Sequence, residues 1–113
     1  MRWVLRSKIH GATVTDVNPD YIGSITIDED LIERSGLWVG ERVLVGDITN
    51  GERFETYVVP AKKGSGTVCV NGAAAKKVNI GDKIIIMGFE LTDKPIEARK
   101  ILVDEKNKFL RYI

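Results

Sequence analysis

The sequence predicts a mainly β fold of one domain, most simply a closed barrel. The chain has 113 residues, a length that a single domain usually fills. Its 11 glycines are spread along the chain, and short apolar runs lie between polar turns, which is typical of many short strands. Closure into a barrel is favoured because it removes exposed strand edges.

The apolar runs place the strands, and one dipeptide places a turn. Strands are predicted near Arg2–Leu5, Ile9–Val14, Ser24–Ile27, Arg42–Ile48, Arg53–Val59, Thr67–Val70, Lys83–Leu91 and Ile101–Val103. Asn50-Gly51 is the strongest turn signal, since Asn-Gly between two β-rich runs favours a type I′ hairpin. It predicts that the strand before this dipeptide pairs with the strand after it.

One clear helix follows the third strand. Asp28 can cap it, acidic residues occupy its first turn, and Gly36 can end it. Leu31 and Ile32 would supply its buried side. A second, very short helix is predicted to begin at Ala73–Ala75, and a further turn is predicted at Pro95–Arg99.

Composition argues against several classes of function. The formal net charge of +1 is unlike the basic excess of a nucleic-acid binder and gives no support for membrane-surface binding. Cys69 and His10 are the single cysteine and histidine, too few for a Cys- or His-rich metal site. The first ten residues lack the apolar run of a signal peptide. We expect a cytoplasmic protein without metal, nucleic-acid or membrane partners.

The segment around Gly23-Ser24 carries the most specific chemistry. An isolated Gly-Ser pair is most often a turn that enters a strand. The alternative is self-cleavage, in which the Ser24 hydroxyl attacks the carbonyl carbon of Gly23 while the backbone is held in a strained geometry. The resulting ester can undergo β-elimination to dehydroalanine, which hydrolyses to a pyruvoyl group and ammonia. A pyruvoyl carbonyl can form a Schiff base with a substrate amine and accept electrons when carbon dioxide leaves.

A second Gly-Ser pair, Gly64-Ser65, serves as an internal comparison. It lies in the polar, glycine-rich stretch 62–66. A loose loop holds no strain, so we expect no cleavage there.

Two strands carry polar side chains that share a face. Lys8 and His10 lie on one face because strand faces alternate, and Arg53 and Tyr57 share a face in the same way. Lys8 and Arg53 can bind carboxylates, and Tyr57 can donate a proton. The alternatives are a solvated lysine, a structural histidine and an exposed Arg-Tyr pair. Alternation puts Thr56 on the opposite face.

The stretch that begins at Asn71-Gly72 continues with Ala73, Ala74 and Ala75. Small residues after an Asn-Gly turn let another backbone approach closely, and the Asn71 amide offers both donors and an acceptor. The alternative is a tight strand-to-helix turn. We expect Cys69, two residues earlier, to face the core.

Taken together, these segments resemble the pyruvoyl-dependent aspartate 1-decarboxylase family along most of the chain. The matching stretches are Lys8-Ile9-His10, Tyr21-Ile22-Gly23-Ser24, the run Thr49–Tyr57, the run Val70–Ala75, and Gly81-Asp82 before an apolar strand. Gly46 departs from the pattern, because some members carry a larger side chain there. Residues beyond Leu91 match less firmly.

The resemblance implies a double-psi β-barrel and a homotetramer with active sites between subunits. It implies a zymogen that cleaves between Gly23 and Ser24 into a β chain, residues 1–23, and an α chain, residues 24–113. The cofactor would be a covalent pyruvoyl group from Ser24, with neither metal nor pyridoxal phosphate. The enzyme would be a lyase that converts L-aspartate to β-alanine and carbon dioxide for pantothenate biosynthesis. Whether a maturation factor is needed stays open.

The resemblance also implies roles for residues. Lys8 and Arg53 would bind the aspartate carboxylates, and Tyr57 would donate the proton. Thr56 and Asn71 would be polar groups at the site, with Thr56 and His10 as candidates for a role in processing. The remaining substrate contacts would come from Gly72 and the backbone of Ala73, Ala74 and Ala75.

The rival interpretation is a small β-barrel interaction module, such as an oligonucleotide-binding barrel. Such barrels favour exposed aromatic residues and a basic groove. Aromatic residues make up 7% of this chain and its charge is near neutral, which weakens that interpretation. A catalytically inactive relative is a further alternative.

Overall fold

The computed structural model describes residues 1–113 and shows a mainly β chain. Its strands are β1 (Arg2–Thr13), β2 (Asp16–Asn18), β3 (Ile25–Asp28), β4 (Arg42–Asp47), β5 (Arg53–Ala61), β6 (Val68–Asn71), β7 (Lys83–Thr92), β8 (Arg99–Val103) and β9 (Phe109–Tyr112). The α-helix α1 spans Glu29–Ser35, and a 3₁₀ helix spans Gly72–Lys77. The predicted mainly β fold is confirmed.

All strands join one sheet in the order β2-β6-β3-β5-β4-β7-β1-β8-β9. The pairs β1–β8, β2–β6 and β3–β5 are parallel, and the other neighbours are antiparallel. Alternate residues of these strands and the buried side of α1 meet in one hydrophobic core. The opposite sheet face points outward and carries most of the polar residues considered below.

The first strand is longer than predicted, because one strand runs through both predicted segments. Two irregularities in its pairing with β7 allow this, one between Leu5 and Ser7 and one between His10 and Ala12. Extra residues at such bulges let a long strand bend without ending. Ile9 is fully buried while Lys8 and His10 are half-buried on the outer face, as alternation predicts.

The hairpin of β4 and β5 forms as predicted, but its turn differs. The loop spans residues 48–52, and Gly51 has a positive φ of 80° while Asn50 does not. A type I′ turn needs positive φ at both central residues, so that prediction is wrong. The Asp47 carboxylate accepts the backbone N–H of Thr49 at 2.7 Å and of Asn50 at 3.2 Å, and thereby stabilises a wider loop.

The helix predictions have mixed outcomes. The Asp28 side chain caps α1 through the Asp30 N–H at 2.9 Å, and Gly36 ends it in the left-handed conformation. The short helix at the alanines is also confirmed. The turn predicted at Pro95–Arg99 is absent, because Arg99 already opens β8. Strands β2 and β9 were not predicted. Neither helix of the chain has the length and hydropathy to cross a membrane.

Candidate active site

The backbone at Gly23-Ser24 is unusual. Ser24 has a φ of 94°, a region that side chains other than glycine rarely adopt, and Gly23 before it has a φ of 76°. The N–H of Gly23 donates to the Tyr21 carbonyl at 2.8 Å, which closes a tight turn. Held by its surroundings, such a serine stores about 1–3 kcal/mol of strain. The peptide bond that the sequence predicts to be cleaved therefore joins two residues with positive φ.

Strand β6 holds Ser24 in place through Asn71. The Asn71 backbone N–H donates to the Ser24 carbonyl at 2.9 Å. Its side-chain Nδ2 donates to Ser24 Oγ at 3.0 Å and to Thr26 Oγ1 at 2.9 Å. Ser24 is 1% exposed, so its hydroxyl is shielded from bulk water. The alternating pattern of β3 and β6 puts these side chains on one face.

Gly72 lets the turn pack against β6. A Cβ at Gly72 would lie 2.6 Å from Gly23 Cα and 2.7 Å from Gly23 N. Real Cβ atoms do not approach backbone that closely, and the φ of 71° at Gly72 also favours glycine. The sequence predicts a close backbone approach at the small residues after the Asn-Gly turn, and the structure shows it at the glycine of that turn. The approaching backbone is that of the predicted cleavage segment.

The three alanines lie in the 3₁₀ helix and differ in exposure. Ala75 is in the core, Ala74 packs partly against it, and Ala73 is exposed. Contact between their backbone and a substrate stays a prediction.

Tyr57 lies beside the cleavage segment. Ile25 pairs with Val58 in the parallel β3–β5 ladder, which brings the residue before Val58 level with Ser24. The Tyr57 hydroxyl donates to the Ile22 carbonyl over a long 3.4 Å, and the residue as a whole is 43% exposed. Thr56 is half-buried on the opposite face of β5 from Tyr57, as predicted.

Lys8, His10 and Arg53 are not gathered around Ser24 within one chain. His10 pairs with Ile85, Ile85 with Gly46, and Gly46 with Arg53, so these residues form one row across four strands. The row spans three strand spacings, or about 14 Å along the sheet. Arg53 also precedes Tyr57 by four residues, about 13 Å along β5. A single chain thus brings together Ser24, Asn71, Gly72 and Tyr57, and leaves the predicted carboxylate-binding cations apart.

Gly46 lies in the middle of that row with space above it. A Cβ added there would meet no atom within 4 Å. Gly46 therefore leaves the outer face open at this point.

Two residues of the site were not predicted, Thr26 and Cys69. They face each other directly across β3 and β6, and the Cys69 thiol donates to Asn71 Oδ1 at 3.3 Å. The expectation that Cys69 faces the core is wrong, because Val68 and Val70 point inward and the residue between them points outward. That alternation was readable in the sequence. Burial raises the pKa of the Cys69 thiol, and the Asp16 carboxylate raises it further, so the thiol is protonated and can donate.

Comparison with known proteins connects this geometry to a family. Residues 1–110 match the sequence profile of the Aspartate decarboxylase family. The chain belongs to that family. It is similar to the Aspartate 1-decarboxylase of Caldicellulosiruptor bescii, with 54% identity over 115 residues that cover 96% of this chain and 88% of that protein. The Helicobacter pylori (strain HPAG1) Aspartate 1-decarboxylase is 54% identical over 111 residues, covering 95% of each chain.

A solved structure supports the fold of this family member. The rationally designed mkDPBB_sym_86 protein, a double-psi β-barrel, superposes with a TM-score of 0.54 at 22% identity. The match covers 77% of this chain and 96% of the designed one. The expected double-psi β-barrel is therefore confirmed.

Proposed function

We propose that this chain is a carboxy-lyase that removes the α-carboxylate of L-aspartate and releases β-alanine and carbon dioxide. One observation carries the proposal. In a member of the aspartate decarboxylase family, a buried serine with positive φ follows a glycine and has its hydroxyl oxygen held by an amide donor. The β-alanine would serve pantothenate biosynthesis, and we place this chemistry in the cytoplasm.

The proposal includes self-cleavage between Gly23 and Ser24. Ser24 Oγ bonds to the Gly23 carbonyl carbon, and the C–N bond between the two residues breaks to give an ester and a free amine. Loss of the Ser24 Cα proton and of Oγ then leaves dehydroalanine, with Oγ retained in the Gly23 carboxylate. Water converts the dehydroalanine to a pyruvoyl group and ammonia. The products are residues 1–23 and 24–113.

The residues present fit that cofactor. Breaking the bond on the N-terminal side of Ser24 removes the constraint on its φ, so the stored strain favours cleavage. Gly23 and Gly72 allow the close backbone approach that holds the turn. The pyruvoyl carbonyl, once in place, supplies an electron sink for the pair left by departing carbon dioxide.

The roles of the remaining residues follow from their chemistry. Lys8 and Arg53 would bind the two carboxylates of aspartate and fix its orientation. Tyr57, whose hydroxyl already contacts the carbonyl of Ile22, would deliver the proton to the substrate carbon. Cleavage takes Ser24 Oγ away, so the Asn71 amide would be free to contact the substrate.

A homotetramer with active sites between subunits forms part of the proposal. In one chain, Lys8 on β1 lies several strands from Ser24, and Arg53 lies on the neighbouring β5 but about 13 Å along that strand from Tyr57. A second subunit that packs its outer face against the first would bring such cations to the serine. The outer face has the apolar character of an interface, with Trp3 71% exposed. Half-buried apolar residues accompany it: Leu5, Leu44, Ile85, Met87 and Phe89. Sedimentation analysis tests the assembly, and a monomer at working concentration contradicts it.

Intact mass after prolonged incubation tests the self-cleavage. We expect two species, residues 1–23 and a 24–113 fragment that carries pyruvoyl in place of serine. The same sample should convert L-aspartate to β-alanine. A chain that stays intact and inactive, including after co-expression with a maturation factor, contradicts the proposed function.

Substitutions separate substrate binding from processing. Arg53→Ala should cleave normally but lose β-alanine formation, mainly through a raised KM, because a charged contact to a carboxylate is removed. Arg111→Ala is the matched control, since Arg111 is an exposed arginine on β9 at the far end of the sheet. Equal loss in both variants would argue against a role for Arg53.

A further inference from the structure

The Asn71 side chain lies at the centre of a small polar cluster. Its Nδ2 donates to Ser24 Oγ and Thr26 Oγ1, and its Oδ1 accepts from Cys69 Sγ. Asn71 is 4% exposed, so water does not replace a missing partner. Each polar atom of the amide has its partner within this cluster.

The donors and acceptors around Asn71 explain why its amide nitrogen faces β3. A side-chain amide has two N–H donors on one atom and one carbonyl acceptor on the other. The side towards β3 offers two hydroxyl oxygens, and the other side offers one sulfur, a weak acceptor. A flipped amide would present both N–H groups to the single sulfur and leave one of them buried without an acceptor, which is unfavourable.

The Thr26 hydroxyl supplies the second acceptor that makes one orientation of the Asn71 amide favourable. We infer that Thr26 is a positioning residue for self-cleavage, because its hydroxyl keeps the Asn71 amide turned so that an N–H points at Ser24 Oγ. Without that hydroxyl, either orientation leaves one N–H unpaired, and the amide loses its preference. The Thr26 hydroxyl hydrogen-bonds to the Asn71 side chain and to no other side chain. The inference rests on the proposed function.

The position of this N–H matters most in the elimination step. The Cα proton of residue 24 passes to water, and the electron pair of that C–H bond forms the Cα–Cβ double bond. The Cβ–Oγ bond breaks, and its electron pair moves onto Oγ, which becomes an oxygen of the Gly23 carboxylate. Negative charge therefore grows on the atom that Asn71 contacts. A donor already in place stabilises that charge in the transition state.

Paired substitutions at Thr26 test the inference. Thr26→Val keeps the β-branched shape that suits a strand but removes the hydroxyl, whereas Thr26→Ser keeps the hydroxyl. We expect Thr26→Val to slow conversion of the full chain to residues 1–23 and 24–113 by about tenfold, less than removal of a donor itself would. Thr26→Ser should convert at nearly the wild-type rate. Conversion is followed by intact mass.

Trapping with hydroxylamine distinguishes positioning from a general structural effect. Hydroxylamine cuts the ester between Gly23 and Ser24 and leaves an intact serine on the second fragment. If elimination is the slowed step, the ester fraction should rise in Thr26→Val above wild type. Equal conversion rates in wild type and Thr26→Val would overturn the inference, as would a slow Thr26→Ser.

A wild-type chain that never cleaves would contradict the proposed function, but the control of the Asn71 amide orientation by Thr26 could still be tested. Hydrogen exchange of the two Asn71 side-chain N–H protons, observed by NMR, then decides it. Both protons should be protected in the wild type, and at least one should exchange rapidly in Thr26→Val. Unchanged protection in Thr26→Val would overturn the inference.

Discussion

The chain contains the dipeptide Gly-Ser twice, in very different settings. Ser24 is 1% exposed and has a φ of 94°, whereas Ser65 is exposed and is not among the residues with positive φ. At the second pair, the left-handed conformations fall on the glycines, Gly64 at 84° and Gly66 at 70°. Glycine adopts these angles without a Cβ penalty, so the second turn stores little strain.

Polar side chains hold both pairs, but they contact different atoms. Asn71 donates to the serine oxygen at the first pair. Asp28 accepts the backbone N–H of Gly64 at 2.9 Å and of Gly66 at 2.8 Å at the second. The second loop is therefore held by hydrogen bonds, and the expectation of a loose loop is wrong. That this pair is not cleaved stays a prediction, which now rests on the lack of strain at Ser65. The same dipeptide becomes a candidate for cleavage only where strain and a donor both fall on the serine.

The largest expected difference between the pairs is in cleavage itself. Ser24→Ala should remain a full-length chain without β-alanine formation, because alanine has no oxygen to attack Gly23. Ser65→Ala should cleave at the wild-type rate, since Ser65 contributes only a 3.3 Å bond to the N–H of Thr67. Intact mass and the β-alanine assay check both. Fragments from Ser24→Ala, or an uncleaved Ser65→Ala, would show that the wrong pair has been assigned.

A Cβ at Gly72 should cause the next largest effect. Gly72→Ala places that atom 2.6 Å from Gly23 Cα, which costs about 1–3 kcal/mol for the overlap and about 1–2 kcal/mol for the positive φ. Gly64→Ala is the matched control, because it has the same kind of φ with nothing within 4 Å of its Cβ. Denaturant unfolding of both in a Ser24→Ala background measures the costs without interference from cleavage.

In the cleaving chain, Gly72→Ala should also slow conversion, since Gly23 must move to make room. Gly64→Ala should leave conversion unchanged. If Gly72→Ala proves no more destabilising than Gly64→Ala, the close packing against Gly23 is not what holds the turn.

The parts of the site that depend on neighbouring residues in the sequence could be predicted. The cap at Asp28, the alternating faces of β1 and β5 and the small residue at Gly72 follow from local rules, and the structure confirms them. The parts that were missed depend on register between distant segments. The pairing of Thr26 with Cys69 is set by how β3 aligns with β6, which composition and periodicity do not specify.

The turn type of the hairpin and the length of the first strand were mispredicted for two different reasons. The turn after β4 is widened by hydrogen bonds that the Thr49 and Asn50 backbone N–H groups donate to the Asp47 carboxylate, so local side-chain bonding overrides the Asn-Gly preference. In β1, the bulges are accommodated by pairing with β7, and that partner lies more than seventy residues away. Contacts of this range decide where elements end.

The smallest expected effect is on stability and depends on pH. It concerns Asp28, whose carboxylate accepts hydrogen bonds from the second Gly-Ser loop. Burial alone would raise the pKa of the Asp28 carboxyl, but the N–H groups of Gly66, Gly64 and Asp30 outweigh it and hold that pKa below its usual value. The ionised form is thus favoured in the folded chain. Its contribution to stability is complete above the unfolded pKa of about 3.9 and is lost as pH falls through the lower folded value.

Asp28→Asn keeps the shape and a capping oxygen but removes the charge. We expect it to lower the free energy of unfolding by about 1–2 kcal/mol at neutral pH, since bonds to a charged acceptor weaken to neutral ones. Measured by denaturant unfolding in the Ser24→Ala background, the difference should be constant above about pH 5 and shrink below about pH 4. Asp93→Asn, at an exposed bend, is the control and should change stability by less than about 0.5 kcal/mol. A difference for Asp28→Asn that stays the same down to acid pH would mean that shape rather than charge anchors the second Gly-Ser loop.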